Sequence, residues 1–311
     1  MNVAGWVWGL TIVGLVGLLA FDYFCHVRKA HVPTLREAAV WSAGYIGVAV
    51  LFGVGMFVLG GSDPGSEYFA GYVTEKALSV DNLFVFLVIM TTFRVPRADQ
   101  QKVLLFGIAF ALIARTGFIF AGAALINTFS WVFYFFGLIL LLTARKVLRA
   151  GGDEAHRSQD VVVGMAEKVI RNPTLLVIAA IAGTDVLFAL DSVPAIFGLT
   201  RDTYIVFTAT AFSLLGLRQL YFLIDGLLDR LVYLSYGLSL ILGFIGVKLI
   251  LHALHEDGVD VPEIGTGVSL LVIIGVLAVT VVASLRSSPS VRSAPDRSRS
   301  TDPDPVPLFR S

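Results

Sequence analysis

Nine stretches of this chain are long and apolar enough to cross a lipid bilayer: 4–24, 37–59, 67–92, 103–127, 129–149, 173–199, 203–224, 231–254 and 264–285. A helix needs about 20 mostly apolar residues to span the hydrocarbon layer. Of its residues 56% are hydrophobic and 15% charged, with a mean hydropathy of +0.82. Soluble domains carry about a quarter charged residues. The expected fold class is therefore all-α: a polytopic membrane protein of about nine transmembrane helices. The first run starts at Ala4 with no basic stretch before it, and its flank Asp22-Tyr-Phe-Cys-His lacks a small-residue cleavage site. It reads as a span and not as a signal peptide.

The formal charge of zero conceals an asymmetry. Nine spans place alternate loops on opposite sides. One side collects Arg28, Lys29, Arg36, Arg94, Arg97, Lys102, the cluster 145–171, Arg230 and the tail, which is 18 of the 23 Lys and Arg residues. The other side has Arg201 with Asp63, Glu67, Glu256, Asp257, Asp260 and Glu263. Basic loops stay in the cytoplasm, so the N-terminus is expected outside and the C-terminus inside. Cys25 is the only cysteine, which excludes an intramolecular disulfide and a thiolate cluster for soft metals.

Two apolar runs carry the same polar signature. Thr74-Glu75, five residues, Asp81-Asn82 is the first, and Thr184-Asp185, five residues, Asp191-Ser192 is the second. A carboxylate at the centre of a membrane helix costs ~2.5–3.5 kcal/mol on insertion scales. Carrying that cost in duplicate points to an ion site built from two halves. A span with an interior arginine follows each signature, Arg115 and then Arg218. Tyr134 to Gly137 with Lys146 is matched by Tyr233 to Gly237 with Lys248. Spans 67–149 thus correspond to spans 173–254. Because a three-span unit is odd, the second copy starts on the opposite side, which predicts two inverted three-helix repeats with a site between them.

The organisation that follows is two N-terminal helices in 1–66, the first repeat in 67–149, a basic cytoplasmic linker in 150–172 and the second repeat in 173–254. An outer loop and last helix occupy 255–285, and a Ser-, Pro- and Arg-rich disordered tail occupies 286–311. Glycines 44, 47, 53 and 55 suggest close helix packing of the second span.

Residues six apart on a helix are rotated by about 240°. Glu75 and Asp81 therefore do not share a face, nor do Asp185 and Asp191. Glu75, Ser79 and Asn82 do align, as do Thr74 with Asp81, Asp185 with Ser192, and Thr184 with Asp191. All four acids reach one ion only if a helix is interrupted, or if the ion moves between two sites. Gly183 and Pro194, and more weakly Gly71, mark expected breaks. The donors are all oxygen, which suits Mn²⁺, Ca²⁺ or Mg²⁺ and disfavours Zn²⁺ and Cu⁺. Crowded carboxylates hold protons more tightly, so protons are the expected counter-ion. Glu75, Asp81, Asp185 and Asp191 are the expected metal ligands, with Thr74, Asn82, Thr184 and Ser192 as supporting polar groups. Arg115 and Arg218 are their charge counterparts. Lys76 points to a helix interface, Asp22 and Asp225 read as interfacial groups, and His252 and His255 as a solvated outer loop.

The segments 71–86, 184–197 and Leu215-Gly-Leu-Arg-Gln-Leu-Tyr-Phe-Leu, 215–223, resemble the TerC/Alx family of integral membrane proteins, and the resemblance covers roughly 5–285. It implies a protein of the bacterial plasma membrane, from a family named for tellurium resistance and linked to manganese export. It places Glu75, Asp81, Asp185 and Asp191 at the family's acidic positions. Many members have Glu where this chain has Ala182. The reading is a secondary transporter that exports a divalent metal, Mn²⁺ as substrate with Ca²⁺ as the alternative, and no organic cofactor. The other reading is a non-transporting membrane partner, acting in metal or tellurium stress or delivering metal to exported proteins through stress-response or secretion partners. Neither reading is an enzyme: the Gly-x-Gly-Asp motif of intramembrane aspartyl proteases is absent, the nearest match being Ala182-Gly-Thr-Asp185. Membrane lipid is an expected contact, and nucleic acid is not.

Overall fold

The computed structural model describes residues 3–27, 33–129, 131–150, 173–224 and 233–287, and all regular structure among them is helical. The helices are α1 (Gly5–Asp22, continued by a π-helical turn Tyr23–Val27), α2 (Leu35–Gly60), α3 (Ser62–Thr92), α4 (Arg97–Thr128), α5 (Val132–Ala150) and α6 (Pro173–Phe197). They continue with α7 (Thr203–Leu214), α8 (Leu217–Ile224), α9 (Leu234–Glu256) and α10 (Thr266–Ser287). The linker 151–172, Asp225 and the tail 288–311 lie outside the described residues.

Among the described residues, seven segments are long and apolar enough to cross a membrane: α1, α2, α4, α6, the α7–α8 pair, α9 and α10. The remaining two expected spans are also helical. They carry charges within their length, Glu75, Lys76 and Asp81 in α3, and Arg145, Lys146 and Arg149 in α5. The chain is an all-α polytopic membrane protein. Its outer surface is apolar, with Trp6, Leu10, Val13, Leu51, Val58, Leu59 and Leu271 exposed where lipid would cover them.

α3 is the centre of the bundle and packs against α2, α6, α7 and α10, while α4 packs against α6 and α5 against α9. Two apolar clusters fill the interior. One joins Leu83–Met90 of α3, Val103–Ile108 of α4 and Val177–Ile181 of α6; the other joins Ala77 and Leu78, Ile119 and Ala123, and Ala189 and Val193 of the same helices. The C-terminal half of α3 thus packs with the N-terminal halves of α4 and α6, so α3 runs antiparallel to both.

Helix ends follow their residues. Thr34 Oγ1 accepts from the Glu37 N–H at 3.2 Å and starts α2. Gly61, at φ +101°, turns the chain into α3. The close approach of α5 to α9 depends on Gly137 and Gly246, because a Cβ on Gly137 would stand 2.9 Å from the Gly246 carbonyl oxygen.

Three expectations are corrected. α6 runs unbroken through Gly183 and Pro194, and α3 through Gly71. Pro194 lies inside α6 and removes only its own N–H bond from the ladder, and Gly71 serves contact with Ala209 and Ile196. The interruption falls instead between α7 and α8, where Gly216 adopts φ +77°. Of the glycines in α2, only Gly53 meets a neighbour, Tyr68 and Phe69; Gly44, Gly47 and Gly55 face open space, since most of α2 is a lipid-facing surface. Gly137 and Gly237, matched in the sequence, face different partners, Gly246 of α9 and Thr280 of α10.

Candidate functional site

α3, α4 and α6 each pass from one apolar cluster to the other at mid-length, and one charged residue of each, Glu75, Arg115 and Asp185, meets the others at that crossing. Asp185 is the central residue of α6, and Arg115 and Glu75 lie near the middles of α4 and α3. Arg115 and Glu75 are 0% exposed and Asp185 is 1% exposed. Arg115 Nε donates to Asp185 Oδ2 at 2.9 Å and Nη2 to Oδ1 at 3.0 Å. This two-pronged geometry is the strongest form of carboxylate–guanidinium pairing. Nη1 donates to Ser192 Oγ at 3.2 Å and pairs with Glu75 Oε1. One guanidinium thereby holds a carboxylate from α3 and another from α6. The i, i+7 spacing that aligned Asp185 with Ser192 is realised, since both meet Arg115.

Around this centre, Thr74 Oγ1, Ser79 Oγ and Glu75 Oε2 are buried with no hydrogen-bond partner among the described residues. Asn82, a turn beyond Ser79, is buried. Unmatched oxygens at this depth are uncommon and mark places where a ligand or a moving group finds a partner. Thr184 is buried too, but its hydroxyl bonds back to the Ala180 carbonyl at 2.7 Å, within its own helix. The side chain of Asp81 lies outside the described residues.

Asp191 stands apart. It is half-buried, and its Oδ1 accepts from Thr143 Oγ1 of α5 at 2.9 Å. Asp185 and Asp191 therefore face α4 and α5 respectively, as their 240° separation requires. Among the described residues no three His, Cys, Asp or Glu side chains converge to hold a metal.

Arg218 does not join the acidic centre. Its Nε and Nη2 donate to Asp22 Oδ2 and Oδ1 at 3.1 and 2.6 Å, Nη1 meets Gln101 Oε1, and Gln219 Nε2 adds a bond to Asp22 Oδ1 at 2.9 Å. Asp22 is thus a buried partner of Arg218 and not an interfacial group. No sequence spacing signals this pair, because its members are 196 residues apart. Thr143, Gln101 and Gln219 were likewise not singled out; only their polarity inside apolar runs marked them.

At the end of the bundle where α3 begins, a cavity of about 430 Å³ is lined by Glu67, Thr200, Arg201, Lys248, His252 and Glu263. Glu67 Oε2 accepts from Thr200 Oγ1 at 2.5 Å, and Arg201 pairs with Glu256 at 2.6 Å. Lys248 Nζ donates to Ser269 Oγ at 3.1 Å. His252 and His255 lie in the last turns of α9 and not in a loop, and His252 Nδ1 stands 3.3 Å from Glu263 Oε1.

Ionisable residues buried within membrane helices pair with one another, as Glu75, Arg115 and Asp185 do midway along α3, α4 and α6. The chain belongs to the TerC family of integral membrane proteins, whose model matches residues 61–291. An uncharacterized membrane protein of Mycobacterium tuberculosis is 55% identical, with 93% of this chain and 81% of that protein aligned. A membrane protein of Myxococcus xanthus is 37% identical over 91% of this chain and 92% of its own length. An Escherichia coli relative, named Alx and described as a proposed membrane-bound redox modulator, is 36% identical over 91% of this chain and 95% of its own. No solved structure gives a significant match.

Proposed function

We propose that this protein is a secondary transporter that exports a divalent metal ion, Mn²⁺ first and Ca²⁺ second, through the acidic centre between α3, α4 and α6. The observation that carries the reading is the Glu75–Arg115–Asp185 bridge. A divalent cation drawn to those carboxylates competes with Arg115 for the same oxygens, so loading the centre and releasing the guanidinium are one event. The unpartnered Thr74 and Ser79 hydroxyls and the second Glu75 oxygen are hard donors of the kind Mn²⁺ accepts. Asp81 and Asp191 supply a second station on the neighbouring stripes. Protons are the proposed counter-ion.

The packing supports two inverted repeats, α3–α5 and α6–α9. α3 and α6, the first helix of each, run antiparallel, and the contact of α3 with α7 mirrors that of α6 with α4. The charge distribution supports an outside N-terminus and a cytoplasmic C-terminus.

The test is Mn²⁺ flux into liposomes containing the purified protein, under imposed proton or sodium gradients. Flux that Asp185→Asn and Asp191→Asn both abolish supports the proposal. Folded wild-type protein without flux under either gradient refutes it.

The relatives' name favours a second reading, a membrane partner without transport that modulates redox or metal stress. One cysteine per chain confines any thiol exchange to a second molecule. Deleting the linker 150–172 separates the readings: unchanged flux with a lost stress phenotype favours the partner role.

A further inference from the structure

Lys76 follows Glu75 in the chain but belongs to a different structure. Its ammonium donates to the Ser213 carbonyl at 2.9 Å and to the Leu215 carbonyl at 3.5 Å. These carbonyls lie at the break between α7 and α8, where α7 ends at Leu214, Leu215 is extended and Gly216 takes φ +77°. The last carbonyls of a helix have no partner within it and carry the negative end of its dipole. Here they are deep in the protein: Leu214, Leu215 and Leu217 are buried, and Ser213 is 0% exposed.

A lysine inside a membrane protein pairs with a carboxylate or with backbone carbonyls. Among the described residues, both hydrogen-bond partners of Lys76 are neutral carbonyls, and no carboxylate forms an ion pair with it. The hydroxyls of Ser213 and of Thr210, one turn earlier, are buried without a partner, as is that of Ser79, one turn beyond Lys76 on the facing helix α3. Helix-end carbonyls beside unpartnered hydroxyls at an interrupted helix are the donor set that binds a small monovalent cation in membrane proteins.

We propose that the α7–α8 break is a monovalent-cation site which the chain fills with its own Lys76 ammonium. The carbonyls of Ser213 and Leu215 are its ligands, and the unpartnered Ser213 hydroxyl is a further oxygen on the same residue. In this protein the tethered ammonium takes the place of a free Na⁺, K⁺ or small alkylammonium ion, so the native fold needs none there. Removing the ammonium opens the site to such an ion.

The experiment measures thermal unfolding of detergent-purified wild type, Lys76→Ala and Lys76→Gln in choline, sodium, potassium and methylammonium chloride at equal ionic strength. Wild type is expected to melt at one temperature in all four salts. Lys76→Ala is expected to melt lower in choline and to regain ~2–5 °C, saturably, in at least one small cation at ten times its half-saturating concentration. Lys76→Gln keeps a neutral donor for the carbonyls and shows a smaller gain. Equal melting of both variants in every salt overturns the proposal and leaves Lys76 as a helix cap alone. A wild-type response matching that of the variants also overturns it, because the ion then binds elsewhere. Failure of both variants to fold in any salt does so too, since a refillable site would be refilled. The readout is stability and not flux, so the outcome is independent of the transport reading.

Discussion

At the scale of single residues, the two acids of the second signature differ in what they hold. Asp185 is buried against Arg115 through two hydrogen bonds, whereas Asp191 is half-buried and meets one threonine hydroxyl. Neutralising Asp185 leaves Arg115 paired with Glu75 but weakens two charge-assisted hydrogen bonds, worth ~1.5–3 kcal/mol each. Losing one hydroxyl bond costs ~1 kcal/mol. Asp185→Asn is therefore expected to lower the melting temperature far more than Asp191→Asn, measured by thermal unfolding in detergent. Equal melting of the two would contradict the Arg115 bridge. Combining Asp185→Leu and Arg115→Met with Glu75→Gln removes all three buried charges and is expected to recover most of that loss, because no unpaired charge remains. Helical arithmetic made the division between Asp185 and Asp191 legible in the sequence. The division between the two arginines was not legible, because a rotation angle says which face a side chain takes and not which distant helix meets it. Asp22 reaches Arg218 only through the packing of α1 and its π-helical turn, and nothing local encodes that.

At the scale of elements, apolar run length located every helix, and residue chemistry placed the breaks wrongly. Gly183 and Pro194 are the obvious breakers, yet α6 absorbs both, while the α7–α8 break sits at a Leu-Gly-Leu sequence within an apolar run. Tertiary contact sets the break: Gly216 lies against Tyr45, where a Cβ would come within 2.7 Å of the tyrosine Cβ. Gly216→Ala meets this crowding together with a positive φ that costs an alanine ~1–2 kcal/mol, so a loss of at least that size is expected in thermal unfolding. A paired comparison tests the α5–α9 contact. Gly137→Val drives side-chain atoms into the Gly246 carbonyl and the Ile250 side chain, and is expected to reduce the yield of folded protein sharply on size-exclusion chromatography. Gly44→Ala faces open space and is expected to leave yield and melting within ~0.5 kcal/mol of wild type, or slightly stabilised by better helix propensity. If both glycines prove equally tolerant, the close approach of these helices is wrong.

At the scale of the whole molecule, most basic residues near the helix ends gather at one end, where Glu37 and Asp99 also lie, while Arg201 sits at the other. Arg36, Arg94, Arg97 and Lys102 lie where α2 and α4 begin and α3 finishes, beside the cluster that holds Ala38, Val95 and Val103. Arg145, Lys146 and Arg149, at the far end of α5, follow, because α5 returns from the other end of α4. Glu67, Asp202, Glu256, Asp257, Asp260 and Glu263 occupy the opposite end, around or near the cavity. Basic loops are held back during insertion, so the first end should face the cytoplasm. Cys25, the chain's single thiol, is exposed in the turn after α1, three residues before the Arg28-Lys29 pair. It therefore serves as a native reporter. In intact cells a membrane-impermeant maleimide is expected to leave Cys25 unlabelled and to label it once the membrane is opened. With Cys25→Ala as background, Val259→Cys, exposed in the loop after α9, is expected to label from outside without permeabilisation. The reverse pattern would turn the bundle over. The acidic end and its cavity would then face the cytoplasm as an entrance, and the direction proposed for the metal would fall with the orientation while the Arg115-bridged centre stayed in place.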